Sequence, residues 1–307
     1  MILYKLSPSV IIFRRFRPNT RNSGILAVFK KTIDPNVRRK IMLHDIEPHN
    51  LNNNYSPRQA KADDTVLYFS GRDFMMAEDG FPVNAMYPDD AVLTYLFEYD
   101  GKAVYLSDRG PLRDCHTEQQ AMIRSFEQPV TFMLATAKHL WSWYSKSRFC
   151  GSCGSENIHS LTERAMVCPK CGNTVYPRIS PAIIVAVICN DRLLMAENIN
   201  SRNGMHSLIA GYLEIGESFE MAVKREVLEE TGLHISNIRY YGNQPWPFSD
   251  GHMIGFFADG DDSEEIIIQK DELKEAGWYT RDALPRTPDK ISIAASMISA
   301  WVDGKYK

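Results

Sequence analysis

The sequence has no long apolar segment and almost no net charge. Its longest continuous apolar run is the stretch AIIVAVIC at residues 182–189, whereas a helix that crosses a bilayer needs about 20 apolar residues. The formal net charge is −3 over 307 residues, which gives no general attraction to nucleic acid or to an anionic membrane. We therefore predict a globular protein without a membrane helix, long enough for more than one domain.

Cysteines are also few, and their spacing does not suggest a disulfide framework. The chain has six, of which four form two C-x-x-C pairs, Cys150/Cys153 and Cys168/Cys171. Zn²⁺ takes four thiolates tetrahedrally, and two such pairs supply them. We predict a structural zinc site with these four ligands, in a reducing compartment. Two such pairs are typical of a zinc ribbon, a small fold held together by its metal. The alternatives are a redox dithiol and a zinc ribbon that has lost its metal, and the duplication of the pair favours bound zinc.

Acidic residues are nearly absent from positions 1–41, which hold ten Lys or Arg and a single acid, Asp34. Basic, acid-poor leaders of this kind are typical of mitochondrial transit peptides. The alternative is that the functional chain starts at Met42, and that the upstream part is a mistaken translation start or a disordered extension. We expect a cytoplasmic protein, with import into an organelle if residues 1–41 are a transit peptide.

The stretch 211–233 concentrates acidic side chains. It reads GYLEIGESFEMAVKREVLEETGL, which predicts a loop followed by a helix that Ser218 caps and Gly232 ends. Carboxylates at i, i+3 and i+4 lie on one face of this helix, and they are Glu226, Glu229 and Glu230. Such a cluster repels itself unless a cation lies within it, and oxygen ligands suit Mg²⁺ or Mn²⁺. A lone E-x-x-E-E is more often a solvated acidic face, so the rest of the stretch decides the interpretation.

That stretch fits the pattern G-x5-E-x7-R-E-U-x-E-E-x-G-U, with U aliphatic, at every fixed position. The pattern resembles the Nudix box, the loop and helix by which Nudix hydrolases bind divalent metal and cleave a diphosphate linked to another moiety. Downstream, residues 244–248 read QPWPF and resemble a signature of the NADH pyrophosphatase branch of this family, as the cysteine pairs also do. The resemblance is firm from about Arg148 onward, looser over residues 64–147, and absent before Met42.

The resemblance implies hydrolysis of NADH or NAD⁺ to nicotinamide mononucleotide and AMP, and in some members removal of NAD caps from RNA 5′ ends. It also implies a homodimer with catalytic Mg²⁺ or Mn²⁺ and structural zinc. The ligands of the catalytic metal would be Glu226, Glu229, Glu230 and Glu272. The substrate pocket would contain Tyr212, Gln244, Trp246, Phe248, Glu272 and Ala294.

Within this implied site, Tyr212 would stack on a ring of the substrate. Trp246 and Phe248 would shape the pocket and a dimer contact. Glu217 and Arg225 complete the catalytic set, and we interpret Arg225 as an ion-pair partner that fixes Glu217 or a loop carbonyl. The metal would neutralise charge that builds up at phosphorus, and one glutamate would take a proton from the attacking water.

The chain departs from this branch directly after the QPWPF run. Where relatives continue Pro-x-Ser, it has Ser249, Asp250 and Gly251, so a hydroxyl expected to contact substrate is missing at Gly251. Ser249 is shifted by two residues, and we expect its side chain to project elsewhere. The alternative substrate is therefore ADP-ribose or another nucleoside diphosphate derivative. A binding module that only senses nucleotide is a further alternative, which the complete set of carboxylates disfavours.

Hydrophobic periodicity predicts the remaining architecture. Residues 64–112 alternate in short runs that predict a small antiparallel sheet, and the spacing over residues 117–146 predicts a helix. The aliphatic run 181–188 is typical of a strand buried on both faces, and a final helix is expected over residues 290–302. We predict an α/β fold class: a Nudix α/β/α sandwich around a mixed sheet (180–307), preceded by a zinc ribbon (148–179) and a small α+β N-terminal domain (42–147).

Overall fold

A computed structural model describes residues 42–78, 80–112, 114–201, 204–288 and 291–306. The basic segment 1–41, on which the expectation of a leader rests, lies outside the described residues. All described residues belong to one compact unit. None of its helices is long and apolar enough to cross a membrane.

The N-terminal part contains two small sheets. Its strands are β1 (Leu51–Asn52), β2 (Thr65–Leu67), β3 (Phe69–Ser70), β4 (Asp73–Ala77), β5 (Leu93–Tyr99), β6 (Lys102–Ser107) and β7 (Cys115–Gln119), with a 3₁₀ turn at Asn84–Met86. One sheet has the order β1-β5-β6-β2 and the other the order β3-β4-β7. The expectation of a wholly antiparallel sheet is wrong at one place, because β2 and β6 pair in parallel.

The helix expected over residues 117–146 is shorter than its sequence pattern suggested. β7 and a 3₁₀ turn at Gln120–Ser125 occupy its first part, and α1 comprises Gln128–Lys146. Pro129 is consistent with this start, because proline fits the first helical turn, where its missing N–H breaks no hydrogen bond within the helix. Met133, Ala137 and Leu140 of α1 are buried against the N-terminal sheets, which confirms that this apolar stripe belongs to a core.

The segment after α1 forms a small three-stranded sheet in the order β10-β9-β8. Its strands are β8 (Ile158–His159), β9 (Met166–Val167) and β10 (Thr174–Val175). Such short strands bury little apolar surface, so a segment of this size commonly depends on a metal for its stability.

A six-stranded mixed sheet forms the centre of the C-terminal part. Its strands are β11 (Ser180–Cys189), β12 (Arg192–Asn198), β13 (Ile209–Tyr212), β14 (Ile235–Trp246), β15 (Gly251–Gly260) and β16 (Leu273–Tyr279). The order is β14-β15-β11-β12-β16, with β13 also paired to β11. The β11–β15 pair is parallel and the other pairs are antiparallel.

One helix covers each face of this sheet. Alternate residues of β11 point to opposite sides, so Ile183 packs toward α2 (Phe219–Thr231) and Ile184 toward α3 (Ile293–Val302). This confirms the α/β/α sandwich and the prediction that β11 is buried on both faces. The face covered by α2 carries the glutamate cluster, and the face covered by α3 carries Ala294.

Candidate active site and zinc site

The four paired cysteines converge at one end of the ribbon. Their sulfur atoms all lie within 4.8 Å of one another, with 3.6 Å between the Sγ atoms of Cys150 and Cys171 and 3.5 Å between those of Cys153 and Cys168. Four sulfurs about 2.3 Å from a tetrahedral zinc ion would lie about 3.8 Å apart, so the cluster fits Zn²⁺. Backbone N–H groups of Ser152 and Cys153 lower the pKa of Cys150 to about 6, which favours the thiolate that a metal requires.

The glutamate-bearing helix begins and ends where its sequence predicts. The Ser218 hydroxyl accepts a hydrogen bond from the N–H of Met221 at 3.2 Å, and Gly232 adopts a left-handed φ of 73° that terminates the helix. Ala222, Val223 and Val227 are fully buried against the sheet. This packing fixes the rotation of α2 and therefore the direction in which its carboxylates point.

Gly211 permits a close approach between β13 and α2. A Cβ atom at this position would lie 1.9 Å from Oε1 and 2.0 Å from Cδ of Glu226. Any side chain there would therefore displace the Glu226 carboxylate. The glycine at the start of the motif is thus needed for space, whereas Gly216 in the following loop is needed for its positive φ of 91°.

Arg225 connects the loop to the helix, as its interpretation as an ion-pair partner anticipated. Its Nε donates to Oε1 of Glu217 at 2.7 Å. Its Nη2 donates to Oε2 of Glu217 at 2.9 Å and to the Tyr212 carbonyl at 3.0 Å. Its Nη1 donates to Glu226 at 2.9 Å and to Glu229 at 3.0 Å. The guanidinium hydrogen bonds, and with them the N–H of Glu214, lower the pKa of Glu217 to about 2. Glu217 is therefore a permanently ionised anchor of the loop.

Glu226 and Glu230 are buried carboxylates, with exposed fractions of 9% and 6%. Burial raises the pKa of Glu226, although the hydrogen bond from Arg225 counteracts the rise. Burial and the negative charges of Glu226, Glu272 and Glu229 raise the pKa of Glu230 to about 8. Buried carboxylates that repel one another form a site that gains stability from a divalent cation, and all their donors are oxygen atoms.

Glu272 reaches this cluster from a different part of the chain. It precedes β16, and its charge acts on both Glu226 and Glu230. The backbone N–H of Gln269 donates to the Glu230 carbonyl at 3.0 Å, and the N–H of Glu272 donates to the Gln269 carbonyl at 3.0 Å. The end of α2 thus holds the turn that places Glu272. This turn brings the charge of Glu272 near Glu226 and Glu230, which lie 46 and 42 positions earlier in the sequence. Binding of one metal ion by all four glutamates stays a prediction, because in the described residues no three of them place their ligand atoms within 4.8 Å of one another.

Tyr212 lies beside the cluster and is accessible, with 51% of the residue exposed. Its hydroxyl donates a hydrogen bond to the Ser249 carbonyl at 3.4 Å, so the motif loop touches the segment after QPWPF. The Ser249 hydroxyl lies 3.4 Å from the position that a Cβ on Gly251 would occupy. The 3₁₀ turn at Pro247–Ser249 produces this approach, and our expectation that Ser249 does not replace the missing hydroxyl stays a prediction.

Two other expected substrate-binding residues lie in the interior. Gln244 is fully buried, and its amide donates to the Ile291 carbonyl at 2.8 Å. Ala294 is buried within α3 on the opposite face of the sheet from α2. The structure therefore does not bring these two side chains to the surface beside the carboxylates.

Trp246 and Phe248 contact the N-terminal part of the chain, which the sequence did not suggest. Phe248 packs against the core formed by α1 and the small sheets, and the Arg124 guanidinium lies 5.0 Å from the Trp246 ring centroid and 4.2 Å from that of Phe248. Asp250 bonds to Lys146 of α1. Lys146 lies 2.8 Å from Asp250 but 104 positions away in the sequence, so this contact leaves no local sequence signal.

A second polar cluster lies on the α3 side of the sheet. Glu197, His206 and Glu275 offer ligand atoms within 4.8 Å of one another. The Lys274 ammonium donates to Glu197 at 2.6 Å, and His206 Nε2 lies 2.7 Å from Glu275. Each of the two carboxylates therefore already has a hydrogen-bond partner, Lys274 for Glu197 and His206 for Glu275.

Comparisons with known proteins agree with this arrangement. Residues 179–301 match the family described as NUDIX domain, and residues 145–176 match the NADH pyrophosphatase zinc ribbon domain. The chain is 38% identical over 205 residues to the NAD-capped RNA hydrolase NudC of Shigella dysenteriae serotype 1, covering 67% of this chain and 79% of the relative. It is 41% identical over 207 residues to the protein of that name from Citrobacter koseri, with the same coverage. A crystal structure of a Nudix hydrolase from Nitrosomonas europaea is similar at 20% identity and a TM-score of 0.44, covering 50% of this chain and 90% of that one.

Proposed function

This chain belongs to the NADH pyrophosphatase branch of the Nudix hydrolases, and from that membership we propose that it hydrolyses the diphosphate of NADH or NAD⁺. The products are AMP and nicotinamide mononucleotide, which stays in its reduced form when NADH is the substrate. The observation that carries the proposal is the buried carboxylate pair Glu226 and Glu230, with Glu229 and Glu272 around it, next to the exposed ring of Tyr212. A metal site beside an accessible aromatic ring suits a substrate that joins a diphosphate to a planar base.

Glu226, Glu229, Glu230 and Glu272 are the residues that would hold Mg²⁺ or Mn²⁺. The bound cation supplies positive charge where negative charge develops on the phosphoryl oxygens. Arg225 and Glu217 keep the loop closed against α2, so they position the carboxylates and the Tyr212 backbone.

Removal of NAD caps from RNA is part of the same proposal. The relatives at 38–41% identity are named NAD-capped RNA hydrolases, and the bond cleaved in a cap is the same diphosphate. The exposed side of Tyr212 leaves space for a substrate that continues beyond one nucleotide. Cap removal needs no additional chemistry from this site.

The second candidate substrate is ADP-ribose or another nucleoside diphosphate derivative. It is favoured by the segment Ser249–Gly251, where the chain departs from the signature that the preceding QPWPF run resembles. Assembly as a homodimer and location in the cytoplasm stay predictions from sequence.

A panel of substrates with product identification tests the proposal. Purified protein is incubated with NADH, NAD⁺, ADP-ribose and NAD-capped RNA, each with Mg²⁺ and with Mn²⁺. We expect nicotinamide mononucleotide and AMP from the dinucleotides, and 5′-monophosphate RNA from the capped transcript. Cleavage of ADP-ribose without cleavage of NADH or NAD⁺ would favour the second candidate. Failure to cleave any of the four with either metal would instead favour a binding module.

A further inference from the structure

The segment of residues 246–250, here called the aromatic loop, is attached to the N-terminal part of the chain by two kinds of contact. One is polar and involves Asp250 at its end. The other is aromatic and involves Trp246 and Phe248. No described residue of the N-terminal part contacts the carboxylate cluster, so contacts with the aromatic loop are a separate way in which this part can affect the active site.

Asp250 accepts hydrogen bonds from two side chains of α1. Its Oδ2 lies 2.8 Å from Lys146 Nζ and 3.3 Å from Ser142 Oγ, and its Oδ1 lies 3.9 Å from His139 Nε2. Burial raises the pKa of Asp250, but the Lys146 hydrogen bond and the charges of His139 and Lys146 lower it overall. The residue has a left-handed φ of 55°, a conformation that Asp and Asn adopt more easily than other non-glycine residues.

The aromatic contacts lie on the other side of the loop. The Trp246 and Phe248 rings meet edge to face with 5.0 Å between centroids, and the Arg124 guanidinium lies over both. Phe248 also packs against the buried cluster of α1 and the small sheets. A planar cation over two rings and an anchored phenyl group restrict the orientations available to the loop.

The opposite edge of the loop reaches the active site. The Tyr212 hydroxyl donates to the Ser249 carbonyl, and Ser249 lies between the anchored residues Phe248 and Asp250. A displacement of the loop would therefore change the position of the hydrogen-bond acceptor that orients the Tyr212 ring. The carboxylates of α2 are fixed separately, by Arg225 and by packing against the sheet.

We propose that Asp250, held by Lys146 and supported by Arg124, is a positioning residue that sets the orientation of Tyr212 and the substrate pocket through the aromatic loop. This inference rests on the proposed function, because it concerns binding of the same dinucleotide. It assigns to the N-terminal part a role in substrate affinity.

The test uses the full-length protein and substitutions that remove the charge with little change in shape. Asp250→Asn retains the left-handed conformation, and Lys146→Met removes the ammonium of a side chain that is 69% exposed. Lys146→Arg keeps a cation and serves as the conservative variant. Lys102→Met is the matched control, because Lys102 forms a comparable surface ion pair with Asp63 at 3.4 Å. Steady-state kinetics with NAD⁺ and hydrogen–deuterium exchange of residues 246–252 are measured for each variant and for the double variant.

We expect KM to rise about 3- to 10-fold in Asp250→Asn and in Lys146→Met, with kcat changed less than about twofold, and the double variant to resemble the single ones because the pair acts as a unit. Exchange of residues 246–252 should accelerate in the same variants, while Lys146→Arg and Lys102→Met behave like the wild type. Unchanged KM together with faster exchange would refute the role in substrate affinity, and unchanged exchange would refute the attachment itself. The exchange measurement needs no activity, so a wild type that cleaves no dinucleotide would count against the proposed function without deciding the attachment.

Discussion

Glu229 and Glu230 are adjacent in sequence, yet their surroundings differ. Glu229 has an exposed side chain that Arg225 contacts at 3.0 Å, whereas Glu230 is buried and surrounded by other carboxylates. The charge of Glu272 acts on Glu230, and α2 packs against the sheet through the apolar side chains of Ala222, Val223 and Val227. The charge of each glutamate is therefore available for a metal ion. Removing that charge should leave the apolar core unchanged.

We expect Glu229→Gln and Glu230→Gln each to lower kcat by on the order of 100-fold, because charge held at a metal site is a large part of such catalysis. The variants should remain folded in thermal unfolding. Glu220→Gln, at an exposed position in the first turn of the same helix, is the control and should retain activity. Full activity in both variants would show that the catalytic metal binds elsewhere.

Gly211→Ala tests the close approach of β13 to α2. The added methyl would fall about 2 Å from the Glu226 carboxylate, and this end of a flexible side chain can move more easily than the backbone. We expect the protein to fold and activity to fall by about 10- to 100-fold, since small misplacements of catalytic groups have effects of that size.

Gly277→Ala is the matched control for this substitution. Gly277 lies in β16 of the same sheet, and a Cβ there would be 3.6 Å from the Tyr279 ring, an ordinary contact. Its activity should remain near that of the wild type. If Gly211→Ala is as active as Gly277→Ala, the position of Glu226 does not matter for the reaction.

At the scale of elements, the sequence predicted those segments whose apolar pattern and end signals agree. The capping serine and the terminal glycine locate α2, and the continuous aliphatic run locates β11. β7 was missed because its sequence CHTEQ is polar and mostly exposed, so it carries no alternating apolar signal. Burial of Gln244 was also missed, because its partner is the carbonyl of Ile291, 47 positions away.

The zinc ribbon is an element whose stability depends on its four thiolates, because its strands bury few apolar side chains. It also contacts the N-terminal sheet: Arg164 donates to Asn53 Oδ1 at 2.7 Å and bonds to the Leu96 carbonyl, and the Tyr55 hydroxyl donates to the Ser160 carbonyl at 3.3 Å. Loss of the metal should therefore loosen the N-terminal part as well as the ribbon.

We expect Cys150→Ser to abolish stoichiometric zinc and to lower the unfolding temperature by several degrees, since a structural zinc site contributes directly to folding. Zinc content is measured by elemental analysis and stability by thermal unfolding. Cys115→Ser, which alters a cysteine of intermediate burial outside the ribbon, should change neither quantity. Unchanged zinc content in Cys150→Ser would contradict the assignment of the ligands.

At the scale of the whole molecule, the active site depends on contacts that join distant parts of the chain. Arg225 and Glu217 lie eight positions apart, and their ion pair could be predicted from the motif. Lys146 and Asp250 are 104 positions apart, and no periodicity in a single sequence indicates such a pair. The catalytic residues were thus predictable as a local pattern, whereas the attachment of the aromatic loop required the folded structure.

The buried Glu230 couples the stability of the whole protein to pH. Its pKa is raised from an ordinary value of 4.5 to about 8 in the folded protein, so the folded state binds more protons than the unfolded state between these values. The contribution of Glu230 to stability is therefore fully present below about pH 4.5 and is lost as the pH rises through about 8. Without added Mg²⁺ or Mn²⁺, we expect the free energy of unfolding to decrease between pH 5.5 and pH 8 through this group, on the order of a few kcal/mol.

Glu230→Gln isolates this contribution, because the amide does not titrate while all other groups remain. Urea unfolding of both proteins is measured at several pH values. The free energy of unfolding of the wild type, minus that of the variant, should decrease as the pH rises. Mn²⁺ added at pH 7 should reverse the loss in the wild type and release about one proton more than in the variant, because a carboxylate ligand must be deprotonated. A difference that is independent of pH, or an equal release of protons by both proteins, would show that Glu230 is already ionised in the folded protein without added metal.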